Sequence, residues 1–182
     1  MKYADIKKYD ISNGVGVRVS LFVSGCNHHC KGCFNPEAWD FNYGKDFTDG
    51  TINEIIEALE PSYINGLSLL GGEPLDIKNQ ESILKLLRKV KEVYPEKSIW
   101  CYSGYLYEYL LEQAKINNIT KEIISYLDIL VDGKFEIDKK DITLLFRGSS
   151  NQRIIDVKRS LEENNIVLSE KNRRRNEDAV KC

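Results

Sequence analysis

No run of apolar residues in this chain of 182 approaches the length of a membrane span. Neither sign of charge prevails: 26 lysines and arginines stand against 28 aspartates and glutamates, a net charge of -2. The first absence argues against a membrane-spanning helix, and the second against a global attraction to nucleic acid or anionic membranes. Met1 to Asp10 is too polar and acidic for a secretory signal, which predicts a cytosolic protein. No internal repeat and no low-complexity core segment is present. The triple arginine Arg173-Arg174-Arg175 has no stacking aromatics around it, so it predicts a solvated stretch and not a nucleic-acid surface.

What is present fits one domain with a real core: 42% of residues are hydrophobic. Val15 to Val23 is rich in β-branched residues and predicts a strand ending at Ser24-Gly25. Thr51-x-x-Glu54 resembles a capping box opening a helix that Pro61 stops. Gly66 to Leu70 predicts a buried strand closed by Gly71-Gly72. Ile83, Leu84, Leu87, Val90 and Tyr94 keep a helical period over Lys78 to Tyr94. Ser98 to Tyr102, Leu127 to Val131 and Ile154 to Val157 predict strands, with a helix over Tyr105 to Lys115. This alternation argues for an α/β fold with a mostly parallel sheet covered by helices. The sheet is expected to curve as an incomplete barrel, because a full eightfold barrel needs ~250 residues. Residues 1–158 form the predicted domain, and 159–182 a polar, basic tail, with Lys171 to Cys182 loosely docked at most.

Five cysteines in a reducing compartment are poor candidates for disulfides. Cys26, Cys30 and Cys33 fall within eight residues, at the end of a predicted strand. Three clustered thiolates suit zinc or an iron–sulfur cluster. A cubane 4Fe–4S cluster usually takes four thiolates. With no fourth cysteine in the loop, one iron would stay open to another ligand, as catalytic metal sites do. The alternative is a structural Cys3His zinc site using His28 or His29. Cys101, within a predicted strand, is expected to be inert core, and Cys182 to be exposed.

The spacing C-x3-C-x2-C resembles the radical S-adenosylmethionine (SAM) signature. Many members of that superfamily carry an aromatic residue before the third cysteine, where this chain has Gly32. The variant Cys26-x-His28-x-Cys30-x-Gly32-Cys33-x-Asn35 is instead similar to the activating family of anaerobic ribonucleotide reductase, whose members generate a glycyl radical on a partner enzyme. Gly71-Gly72-Glu73-Pro74 resembles the GGEP motif that receives the methionine ammonium group. Asn13-Gly14-x-Gly16-x-Arg18 resembles a glycine-rich segment of related activases, or is a plain turn before the first strand. The resemblance covers about Tyr9 through Val157. It implies a partial-barrel radical SAM domain with one 4Fe–4S cluster on Cys26, Cys30 and Cys33. It further implies SAM contacts from Gly32, Cys33, Phe34, Gly71, Gly72, Glu73, Pro74, Ser103, Asp132 and Lys134. Ser103 has the alternative of capping the next helix, and Lys134 of being an exposed turn lysine. The implied partners are the anaerobic reductase, as protein substrate, and a flavodoxin- or ferredoxin-type electron donor. Arg147 and Arg153, in Arg147-Gly148-Ser149-Ser150-Asn151-Gln152-Arg153, are the candidate partner contacts. Sister activases, such as that of pyruvate formate-lyase, share the core motifs.

Overall fold

A computed structural model of the chain describes residues 1–173; the expectations for Arg174, Arg175 and Cys182 concern positions outside them. Seven strands form one sheet: β1 (Lys2–Asp10), β2 (Val17–Val23), β3 (Lys45–Asp46), β4 (Ile64–Gly71), β5 (Ser98–Tyr102), β6 (Ile129–Asp132) and β7 (Arg153–Asp156). Their order is β3-β1-β2-β4-β5-β6-β7. The central four are parallel, while β1, β3 and β7 run antiparallel to their neighbours. This is an α/β fold with a largely parallel sheet, consistent with a partial barrel. No helix among the described residues is long and apolar enough to cross a membrane.

The two faces of the sheet differ, and the period-2 alternation of side chains makes the difference. One row across the strands reads Leu21, Leu69, Cys101, Leu130 and Ile155. All five are fully buried in the main core. They pack with apolar residues of α1 (Asp49–Leu59), α2 (Ile77–Val93), α3 (Tyr107–Ile116) and α4 (Asn118–Tyr126). The opposite face carries Ser20, Ser68 and Trp100 in one row and Phe22 beside Leu70 in another. None of these five belongs to the helix-packed core, and Phe22 and Leu70 line a cavity instead.

On the same face as Ser20 and Phe22, Arg18 is 1% exposed. It donates from Nε to Ser68 Oγ at 2.7 Å, from Nη1 to Ser98 Oγ at 2.9 Å, and from Nη2 to Leu67 O and Ser98 O at 2.8 Å each. Burial pulls its pKa down to about 10. The two preceding glycines are explained locally. A Cβ on Gly14 would stand 2.6 Å from Arg18 Cδ, and one on Gly16 2.0 Å from Asn65 Oδ1.

Several element boundaries differ from expectation. The cap of α1 is Thr48, which pairs reciprocally with Thr51, so the box lies three residues upstream of Thr51-x-x-Glu54. Strand β1 gives little hydrophobic signal, being buried only at Tyr3 and Asp10. Helix α4 starts at its own cap, Asn117, whose side chain accepts from Ile119 N and Thr120 N. Beyond β7, α5 (Val157–Glu162) leads to a return segment that bonds Asp156 N to Val167 O and Ser169 N to Ile154 O.

The core makes a quantitative prediction. Leu87→Ala, at a fully buried α2 position, is expected to lower stability by about 2–5 kcal/mol in urea unfolding. Ile116→Ala, at a position 83% exposed, should stay within about 0.5 kcal/mol of wild type.

Candidate active site

Because β2, β4, β5 and β6 are parallel, the loops leaving them emerge at one edge, where α/β sheets build their sites. Ser24-Gly25-Cys26 follows β2, Gly72-Glu73-Pro74 follows β4, Ser103-Gly104 follows β5 and Gly133 follows β6. Backbone bonds hold the first two loops together: Gly72 N to Val23 O at 2.7 Å and Glu73 N to Gly25 O at 2.8 Å. A 3-10 turn, Pro36–Trp39, backs the cysteine loop, with Gly25 N bonded to Ala38 O and Cys26 N to Trp39 O. This close approach requires glycine. A Cβ on Gly72 would stand 2.5 Å from Gly25 O.

Glu73 is 1% exposed and its carboxylate accepts four hydrogen bonds. Leu75 N and Ser103 Oγ donate to Oε1 at 2.9 Å each, and Gly104 N and His28 Nε2 to Oε2 at 2.7 and 2.9 Å. Four donors fill the acceptor capacity of a carboxylate. Ser103 therefore ties turns together and does not cap α3, whose N-cap residue is Leu106. Asn79, 1% exposed, adds bonds from Nδ2 to Ser24 O and Glu73 O. Sequence reasoning gave no role to Asn79, since nothing in a polar helix residue signals two carbonyl partners on distant loops.

Asp132 is fully buried. It accepts from Tyr107 N at 2.9 Å, so it caps α3 from another strand, and from Arg153 Nε at 3.0 Å and Nη2. Arg153 also forks onto Glu108 at 2.9 and 2.7 Å. The guanidinium holds the Glu108 carboxyl below its ordinary range, and Glu108 and Asp132 raise the pKa of Arg153. Both members of the Asp132–Arg153 pair are thus engaged within the fold. Lys134 is exposed, and its carbonyl accepts from Asn151 Nδ2. Arg147 donates from Nη1 to Gln152 O at 2.6 Å.

The three cysteine side chains line a single cavity of about 870 Å³. Phe34, Gly71, Gly72, Glu73, Ser103 and Arg147 line it too, whereas Gly32, Pro74, Asp132, Lys134 and Arg153 stand outside its lining. Gly32 serves the loop's shape, with φ at +76° and room for Ile137 where a Cβ would lie. Phe34 is 74% exposed, its ring 5.2 Å from that of Phe135. Burial raises the Cys26 thiol to about 11 and also pushes Cys30 up. Two of these thiols therefore keep their protons at neutral pH unless a cation draws them into the thiolate form.

No group of three His, Cys, Asp or Glu side chains among the described residues converges as a single metal ion requires. His28 is engaged by Glu73, and His29 stacks on Trp39 at 4.7 Å.

A family model described as a 4Fe-4S single cluster domain matches residues 12–155. Proteins named anaerobic ribonucleoside-triphosphate reductase-activating protein match most of the chain. That of Pasteurella multocida is 40% identical over 156 residues, covering 85% of this chain and 96% of the relative. That of Enterobacteria phage T4 is 42% identical over 154 residues, covering 85% and 93%. That of Escherichia coli K12 is 41% identical over 154 residues, covering 84% and 96%.

The chain belongs to the anaerobic ribonucleoside-triphosphate reductase-activating family.

Membership in this radical SAM family agrees with the expectation raised by the cysteine loop, and the cofactor set is a single 4Fe–4S cluster with SAM. Cys101 lies on the helix-packed face of the sheet, fully buried, with burial holding its thiol well above the ordinary value. It is not among the residues that line the cavity.

Gly72→Ala tests the geometry of the loops. Its added carbon meets backbone, which cannot swing aside. Cluster affinity is expected to fall by about 10- to 100-fold, as for losses in the shell around a metal site. Iron and sulfide per chain after anaerobic reconstitution measure this. Loading equal to wild type would show that the loops tolerate separation.

Proposed function

We propose that this chain activates an anaerobic ribonucleoside-triphosphate reductase, as its relatives' names say they do, by generating a glycyl radical on that protein. The observation carrying this reading is the opening of Cys26, Cys30 and Cys33 onto one cavity together with the turns after β4 and β5. When bound, the cluster supplies the electron that cleaves SAM reductively and so generates the radical chemistry.

The chain's own residues hold and shield that chemistry. Cys26, Cys30 and Cys33 are the proposed cluster ligands. Gly71, Gly72, Glu73 and Pro74 provide the turn facing SAM, and because the Glu73 side chain is saturated, the turn offers its ligand backbone groups. Phe34 and Ser103 border the same cavity, while Gly32 shapes the loop. Pro74 limits the turn's freedom. Asp132 acts by fixing the start of α3, and Lys134 supplies positive charge close enough to Cys30 to favour its thiolate.

Residues 140–148 contribute Lys140, Leu144 and Phe146 to the wall of the cavity, and the substrate proposed for it is a protein. Arg147, in the cavity wall, and Arg153 are the proposed contacts with the reductase. A flavodoxin- or ferredoxin-type protein is the proposed electron donor, and the cytosol the proposed location.

Removal of one ligand tests the assignment. Cys30→Ala is expected to reduce 5'-deoxyadenosine release to background when anaerobic protein is mixed with SAM and a reductant. Chromatography of the quenched mixture gives the readout, and retained cleavage would defeat the ligand set.

A further inference from the structure

The cysteine loop has little backbone of its own to hold it. Among the described residues, the one backbone-to-backbone hydrogen bond of 27–33 is Cys33 N to Cys30 O at 3.1 Å. His29 and Gly32 both take positive φ, at 47° and 76°. Side chains hold the loop in place: His29 stacks on Trp39, Cys30 takes a backbone bond from Phe135, and two polar contacts reach the turn after β4. Asn27 Nδ2 donates to Asp76 Oδ2 at 2.7 Å, and His28 Nε2 meets Glu73 Oε2 at 2.9 Å.

The second contact is the more enclosed. The side chains of His28 and Glu73 are 8% and 1% exposed. A carboxylate only accepts, so Nε2 carries the proton of this bond. The edge of Tyr105 closes on the imidazole with ring centroids 4.5 Å apart. Gly104 leaves the space the ring occupies: a Cβ there would lie 2.4 Å from His28 Cδ2. The same Glu73 oxygen also takes the Gly104 N–H, so one atom joins the cysteine loop to the turn after β5.

We propose that His28 is a positioning residue. By donating Nε2–H to Glu73, it fixes the cysteine loop against the turns after β4 and β5, and thereby the place of the cluster relative to SAM. It is not itself a ligand. This rests on the function proposed above and assigns a task to the residue between the first two cysteines. The bond needs only an N–H donor at this place, so a side chain of similar reach that keeps an N–H can replace it.

Two variants of the full-length protein separate this role from plain packing. His28→Leu fills the space without a donor, and His28→Gln keeps an N–H. The reconstituted, reduced proteins are titrated with SAM while the change in the cluster's electron paramagnetic resonance spectrum is followed. SAM affinity is expected to weaken about 10- to 100-fold in His28→Leu and to stay close to wild type in His28→Gln. Amide hydrogen exchange of the same proteins should quicken together in residues 26–30 and 103–105 of His28→Leu, but not of His28→Gln. Normal affinity and exchange in His28→Leu, or equal damage in both variants, would overturn the proposal. If wild-type protein itself shows no response to SAM, the activase function falls, and with it the link to SAM. The exchange pattern would still decide whether His28 holds the loop.

Discussion

One buried carboxylate holds the active edge of this protein together. Glu73 draws donors from its own turn, from the turn after β5 and from the cysteine loop. An ionised group removed from water is costly unless its hydrogen-bonding capacity is met. Meeting it here forces three loops with no regular structure into one arrangement. Removing any one donor leaves the others but exposes the carboxylate to an unmet demand, which is why these polar contacts act as a set.

The sheet makes that convergence possible. Parallel order in β2, β4, β5 and β6 brings their following loops to one edge. On one face the alternation of apolar side chains gives the helices a surface to bury, and that burial is the main stabilising contribution. On the other face, polar and aromatic residues leave a cavity open beside the cysteines. Arg18 of β2 lies on this second face, buried and bonded to neutral acceptors in β4 and β5. Its many directional bonds join the strands from within, where helices do not reach.

Much of this was legible in the chain. Ser98 to Tyr102 forms the strand its pattern predicts, and the cysteine spacing pointed to the family that the relatives establish. These signals are local: periodicity, caps and short motifs depend on neighbours in sequence. What escaped depends on distant ones. The antiparallel return of β7 leaves no mark in Arg153–Asp156 itself. Asp132 gave no sign that it would cap α3 and pair with Arg153, nor Asn117 that it would start a separate helix after α3. The Gly-Gly turn was visible, but its purpose, close passage beside Gly25 and Ala38, needed the fold.

The central claim is that this chain places a glycyl radical on an anaerobic reductase. Its most direct test is an anaerobic electron paramagnetic resonance spectrum of that reductase after incubation with this protein, SAM and a reductant. A glycyl-radical doublet on the reductase is the predicted result. Absence of both the doublet and free 5'-deoxyadenosine, in a sample whose cluster is shown to be intact, would contradict it.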